Sequence, residues 1–283
     1  EVVVLDNLTS GHKDAVVGGD LVVGDIDDDS LVSNLLNTFR PDIVFHFAGA
    51  IEVAESMEAP AKYYDNNLFK SVGFLNTLIR YGIKYFVFSS SAAVYAPSEI
   101  LLSESTATCI PQSPYGRSKF MLEQVLTDYD YAYGLRSVAL RYFNAAGSDP
   151  AGRLGERHNP ESHLIPKILQ NVQSNIEPTI DVYGLDYPTR DGSCIRDYVH
   201  VLDICEAHVC AATYLLKGGK TQQINIGIGH GTSVLEIVRM CEEVTGRTIS
   251  INGLVRRPGD SPQLVADPRL ANSELNWFPL VTD

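Results

Sequence analysis

Tyr85-Phe86-Val87-Phe88-Ser89-Ser90-Ser91 is a short run of large apolar residues that stops on three serines. An apolar run of this length bounded by small polar residues reads as a strand buried on both faces, as in a parallel sheet covered by helices. Its flanks agree. On one side Ala61 to Tyr81 is amphipathic and stops at Gly82; on the other, Tyr115 to Tyr133 repeats the pattern and stops at Gly134, glycine being the residue that ends a helix most readily. Further out, Ile43 to Phe47, Val138 to Tyr142 and Glu1 to Leu5 read as more buried strands. Strands and helices in alternation predict an α/β fold with a doubly wound, Rossmann-like parallel sheet.

Past Asn144 the texture changes to Gly- and Pro-rich loops, at Gly147 to Pro160, Tyr183 to Gly192 and Arg256 to Pro262. This predicts a doubly wound first domain over 1–144 and a smaller second domain over 145–283, with a strand at about 223–228 returning to the first sheet; the motifs they carry make the first a dinucleotide-binding and the second a substrate-binding domain. The chain has 283 residues, 45% hydrophobic and 20% charged, which is globular composition. A formal charge of −13 without a basic face disfavours nucleic acid, since phosphate counterions are displaced by Lys and Arg. No apolar run approaches the ~20 residues that span a bilayer. Five cysteines without Cys-x-x-Cys spacing signal neither a disulfide framework nor zinc, so a reducing, cytoplasmic setting is expected and no metal site is read. The acidic run Asp25 to Asp29 reads as a solvated loop leading into a helix N-terminus, where carboxylates are favoured.

Val2-Val3-Val4-Leu5-Asp6-Asn7 is a strand ending on an acid. In dinucleotide-binding folds such an acid follows the glycine fingerprint by about 20 residues and binds the ribose hydroxyls, favouring NAD over its 2′-phosphorylated form. An Asp-Asn pair after a strand is also an ordinary turn. Nothing precedes Glu1 in this sequence, so the fingerprint, its strand and the helix that holds the pyrophosphate would lie upstream. The expectation is a fragment of a longer protein whose sheet lacks a central strand, leaving two inner strands with bare edges.

Ser113-Pro114-Tyr115-Gly116-Arg117-Ser118-Lys119 carries Tyr-x-x-x-Lys at the start of a helix, with Pro114 suited to its first turn. Residues four apart share a helix face, so an ammonium can lie beside a phenol whose pKa of about 10 needs lowering before it can act as a base. Tyr-x-x-x-Lys alone is common surface chemistry. Serines at the carboxyl end of a strand, where open α/β sheets bind ligands, make it a candidate acid–base set for a hydroxyl proton.

Ser89-Ser90-Ser91, Ser113 to Lys119 and Arg141-Tyr142-Phe143-Asn144 stand in the order found in the UDP-galactose (UDP-glucose) 4-epimerases, and the chain resembles that family of extended short-chain dehydrogenases/reductases from Glu1 nearly to Trp277. Supporting stretches are His46-Phe47-Ala48-Gly49, Tyr63-Tyr64-Asp65-Asn66-Asn67, Arg196 to Val201 and Arg257-Pro258-Gly259-Asp260. The resemblance implies NAD as cofactor, a UDP-sugar as substrate and a homodimer, with helices 61–81 and 115–133 as interface elements. It implies that Tyr115 takes the C4 hydroxyl proton while the C4 hydride passes to NAD, that Ser91 binds the same oxygen, and that Lys119 depresses the phenol's pKa. The 4-keto sugar then turns over and takes the hydride on its other face. Cofactor contacts implied are Asp6, Asn7, Asp25, Ile26, Phe47, Ala48, Gly49, Asn66, Ser91, Tyr115, Lys119 and Phe143. Those implied for the nucleotide sugar are Ser91, Tyr115, Asn144, His163, Leu164, Tyr183, Arg196, Arg257, Asp260 and Leu264. On pattern alone Phe47 and Phe143 would be core residues and His163 a surface or capping residue.

The chain departs from the family at Ile51, Ala93 and Ala96, where relatives carry lysine, threonine and glycine. Two other readings compete. A nucleotide-sugar 4,6-dehydratase would need Asp-Glu where Ala92 and Ala93 stand; a catalytically inactive binding relative would have no chemical use for Ser91, Tyr115 and Lys119 together.

Overall fold

The computed structural model describes residues 1–283 except Glu99, Asn175, Pro258, Gly259 and Asp283, so Pro258 and Gly259 of the Arg257 to Asp260 motif lie outside the described residues. The first elements are strands β1 (Val3–Asp6) and β2 (Asp20–Val23), helix α1 (Asp29–Phe39), strand β3 (Val44–His46), and helices α2 (Val53–Glu58), α3 (Pro60–Tyr64) and α4 (Lys70–Arg80). Strand β4 (Tyr85–Ser89), helix α5 (Pro114–Tyr133) and strand β5 (Arg136–Tyr142) follow. The second half holds β6 (Asn144–Ala146), α6 (Leu164–Ser174), β7 (Thr179–Tyr183), β8 (Ile195–Arg196), β9 (Tyr198–His200) and α7 (Val201–Leu216). It closes with β10 (Gln222–Ile226), β11 (Thr232–Ser233), α8 (Val234–Thr245), β12 (Ser250–Leu254) and β13 (Gln263–Leu264).

Four parallel strands in the order β10-β5-β4-β3 make the main sheet. Alternate residues of its central strands enter opposite layers, as the period of two requires. Phe86, Phe88 and Ala139 pack against α1, α4 and α5, whereas Val87, Val138 and Leu140 pack against α7, the strand β10 and Trp277. Helices on both faces make the sheet doubly wound. The sheet is nevertheless in two pieces. Strand β1 pairs only with β2 and β3 only with β4 among the described residues, so each has one open edge.

The acidic run divides as expected. Asp28 caps α1 by accepting from the Leu31 N–H at 3.0 Å, while Asp25 and Asp27 pair with Lys70. The helix expected over 61–81 is interrupted at Asp65–Phe69 by a π turn, a local widening often found at functional sites. Strands β1 and β3 are shorter than read, because their outer residues lack a second neighbour to pair with. Beyond residue 144, the pairs β12-β7 and β6-β9 and the three-stranded β11-β8-β13 accompany α6, α7 and α8, and β10 pairs with β5 in the main sheet.

Candidate active site

Helix α5 begins where Ser113 accepts from the Gly116 N–H at 3.1 Å and Pro114 occupies the first turn; it stops at Gly134, φ 69°. Gly116 has a second task. A Cβ there would sit 2.2 Å from the carbonyl oxygen of Ala93, so the missing side chain lets α5 press against the turn that follows β4. That approach brings the three serines into different partnerships. Ser89 bonds His208 Nε2 at 2.9 Å, Ser90 donates to Glu123 Oε1 at 2.5 Å, and Ser91 hydrogen-bonds the Tyr115 phenol. Since His208 Nδ1 donates to the Ile204 carbonyl, Nε2 is the acceptor and the Ser89 hydroxyl is committed to it. Ser91, which also accepts from the Ala93 N–H at 3.1 Å, is the serine left to the phenol.

Lys119 lies on the same face, its Nζ 5.9 Å from the centre of the Tyr115 ring and donating to the Ser89 carbonyl at 2.9 Å. Burial lowers its pKa to about 8, opposed by Glu123. For Tyr115 the expected direction is reversed. Burial raises the phenol above its ordinary value and the nearby Tyr142 adds to this, outweighing the hydrogen bond from Ser91. The ammonium, 5.9 Å from the ring centre, does not offset this desolvation.

Most of the residues expected at the cofactor follow strand ends: Asp6 and Asn7 at β1, Asp25 and Ile26 at β2, Phe47 to Gly49 at β3, Ser91 at β4 and Phe143 at β5. Asp6 accepts from the Leu8 N–H at 2.6 Å and Asn7 from the Thr9 N–H at 3.0 Å, so both take part in the turn. Asn7 also donates to Asp25 at 2.8 Å, and Lys70 donates to the same carboxylate oxygen. These bonds hold the Asp25 carboxyl below its ordinary pKa although burial opposes them. Ile26 packs into the core beside Leu5, and Ala48 is exposed. Phe47 is 58% exposed, contrary to its core reading, whereas Phe143 is a core residue packed with Leu264, Val94 and Tyr95. The fit to a dinucleotide is read from this surface. An open aromatic ring, a glycine whose Cβ would lie 3.5 Å from Lys119 Nζ, and an ammonium with unused donors form a cradle suited to a ribose and a flat heterocycle.

Among the residues expected at the nucleotide sugar, the Arg257 guanidinium stacks 4.7 Å above the Tyr183 ring and pairs with Asp260 at 3.1 Å. Arg196 reaches Asp260 at 3.7 Å and donates to the Ser261 carbonyl. Tyr183, Arg196, Arg257 and Asp260 are thus one cluster. Asn144 opens β6 and Leu164 opens α6. His163 is bonded to Glu156 and its pKa is raised by that bond.

Three features escaped the sequence reading. Asn67, beside the expected Asn66, accepts from the Ala50 N–H at 2.8 Å and donates to the Ala50 carbonyl at 2.9 Å, fixing the loop after β3. Glu123 and Arg141 form a buried pair under the serines. Glu156, His158, Glu161 and His163 converge in the loop before α6, and their alternation within eight residues was the available signal.

Residues 1–227 match the NAD dependent epimerase/dehydratase family. The chain is 46% identical over 278 residues to the UDP-glucose 4-epimerase of Rhizobium meliloti strain 1021, covering 98% of this chain and 84% of that protein. Against the UDP-glucose 4-epimerase of Halalkalibacterium halodurans the identity is 44% over 280 residues, 99% of this chain and 83% of the relative. The crystal structure of UDP-glucose 4-epimerase from Brucella ovis in complex with NAD superposes with a TM-score of 0.94 at 45% identity, covering 99% of this chain and 86% of that one. The Bifidobacterium longum enzyme in complex with NAD+ and UDP gives 0.93 at 34% identity, covering 100% and 87%.

Proposed function

The chain belongs to the NAD-dependent epimerase/dehydratase family, and from that premise we propose that it interconverts UDP-glucose and UDP-galactose by inverting C4 of the sugar. The observation that carries this reading is the Ser91 to Tyr115 hydrogen bond at the carboxyl end of β4, with the Lys119 ammonium on the same helix face. Tyr115 receives the C4 hydroxyl proton and returns it after the sugar has turned; Ser91 binds the same oxygen in both orientations. Lys119 supplies a nearby cation and holds a ribose. Bound NAD supplies the acceptor for the C4 hydride and, when oxidised, a positive ring beside the phenol. Asp6, Asn7, Asp25, Ile26, Phe47, Ala48, Gly49, Asn66 and Phe143 form its seat. On this reading Tyr183 packs on the uracil, Arg196 and Arg257 meet the diphosphate, and Asn144, His163, Leu164, Asp260 and Leu264 complete the sugar-nucleotide pocket. Guanidinium forks suit phosphate oxygens.

The division follows function, 1–144 holding the cofactor and 145–283 the sugar nucleotide, with β10 contributed back to the first sheet. A homodimer through the 61–81 and 115–133 helices is supported by Phe69 and Met121, large apolar side chains left 66% and 42% exposed there. No helix among the described residues is long and apolar enough to cross a membrane, and five free cysteines support a cytoplasmic location. Elimination of water finds no catalyst at Ala92 and Ala93, and Ala92 is a core residue.

Incubation with UDP-galactose and NAD, followed by chromatography and mass spectrometry, tests this. UDP-glucose of unchanged mass is expected, and a product lighter by one water would overturn the assignment. Tyr115→Phe should lower turnover by roughly 100-fold to 10,000-fold while UDP still binds. Turnover unchanged in that variant would remove Tyr115 from its role.

A further inference from the structure

The loop before α6 gathers four side chains that share no task in the proposed reaction as a group. Glu156, His158, Glu161 and His163 each present one ligand atom, and these atoms all lie within 4.8 Å of one another. His158 Nδ1 is 3.4 Å from Glu156 Oε1 and 3.5 Å from Glu161 Oε1; His163 Nδ1 is 4.0 Å from Glu161 Oε1 and bonded to Glu156. The two imidazoles stand edge to face, 5.1 Å apart. Four ligands held about 2.0 to 2.1 Å from a tetrahedral ion would be separated by roughly 3.4 Å, close to the shorter spacings seen.

A second observation is independent of this convergence. The Glu161 side chain is only 3% exposed, and although Oε1 accepts from the N–H groups of Ser162 and His163, Oε2 has no partner. His158 Nδ1 is also buried without a hydrogen bond, despite lying near two carboxylates. A buried carboxylate oxygen and a buried imidazole nitrogen left unsatisfied within one cluster are both costly, and a cation bound by that cluster would relieve the cost.

We propose that Glu156, His158, Glu161 and His163 form a binding site for a divalent transition-metal ion of the zinc class. Two imidazoles and two carboxylates are a donor set that favours such an ion over calcium or magnesium, which prefer oxygen alone. Two carboxylates neutralise its charge. The ion ties a loop that already touches both halves of the molecule: His12 bonds the Arg157 carbonyl at 3.2 Å and Ser162 donates to Glu52 at 2.8 Å. Its role is therefore structural, fixing the backbone that delivers His163 and Leu164 to α6. The site stands whether or not the chain is an epimerase.

The test uses cobalt as a spectroscopic probe. Protein stripped with chelator and freed of it is titrated with Co²⁺, then with Zn²⁺ as competitor. One equivalent of Co²⁺ per chain with the intense visible absorption of a four-coordinate site is expected, displaced by one equivalent of Zn²⁺. His158→Gln and Glu161→Gln, each checked for native circular dichroism, should lose the signal. Should Glu161→Gln fail to fold, His158→Gln on the surface loop decides. Absence of saturable binding, the weak spectrum of a six-coordinate ion, or an unchanged signal in His158→Gln overturns the proposal.

Discussion

Tyr115 and Lys119 are adjusted by burial in opposite senses, and this sets two tests on single residues. The buried ammonium titrates at about 8, so it is charged below that value and loses its proton as pH rises through it. A cation beside the phenol favours proton removal, so kcat/KM for the UDP-sugar should fall as pH rises between about 7 and 9. Lys119→Met should lower the value and flatten that limb; a limb that persists in the variant belongs to another group. Gly116 is the second case. Alanine is worth about 1 kcal/mol more than glycine inside a helix, so propensity predicts that Gly116→Ala stabilises. The 2.2 Å approach to the Ala93 carbonyl predicts the reverse, because backbone must move to admit the methyl group. Urea denaturation should show a loss of roughly 1 to 3 kcal/mol, as for other overpacked sites, with lower kcat as Ser91 draws away from Tyr115. A more stable, fully active variant would show that the turn yields freely.

Helix α5 is fixed to the sheet by charge as well as by its apolar face. Leu122 and Leu126 enter the core, but between them Glu123 is fully buried, bonded by Arg141 at 2.9 and 2.5 Å and by Ser90. Arg141 continues to the Tyr95 hydroxyl and through it to Asn225 on β10. The network locks the rotation of α5, one turn beyond Lys119. Removing one partner strands the other charge, so Glu123→Leu should cost about 3 to 5 kcal/mol by denaturation, and Arg141→Met on top should restore part of it. Simple addition of the two losses would rule out direct coupling. This network also marks where the sequence stops being legible. Strand β4, helix α5 and the Ser91, Tyr115, Lys119 set could be read because period, caps and spacing are local properties. Glu123 with Arg141, and the Asn67 clamp on Ala50, depend on which elements meet across the fold. Phe47 and Phe143 show the same limit: both are apolar at a strand's end, and only the three-dimensional neighbours decide that one is open and the other enclosed.

The molecule as a whole is held unevenly. The central strands β4 and β5 are paired on both sides and covered by helices on both faces, with Phe86, Val87, Val138 and Leu140 fully buried. Strands β1 and β2 have no ladder to the main sheet among the described residues; Leu5 and Ile26 pack toward α1, and ion pairs and the His12 contact with the Arg157 carbonyl add further ties. Asp29 with Arg80 and Asp14 with Arg157 are exposed, solvent-screened pairs that add little, and Lys70 with Asp25 and Asp27 is only partly covered. Regions with few buried contacts and open backbone open before the global unfolding transition. Amides of β1 and β2 should therefore exchange hydrogen faster than those of β4 and β5, and added salt should widen the difference by screening the exposed pairs. Binding of NAD at Asp6 and Asn7, on the proposed reading, should narrow it, since a ligand held by the folded form alone stabilises that form in proportion to its saturation. Equal protection of Val3 to Asp6 and Phe86 to Ser89 without ligand would mean that the packing of Leu5 and Ile26 alone secures the first two strands.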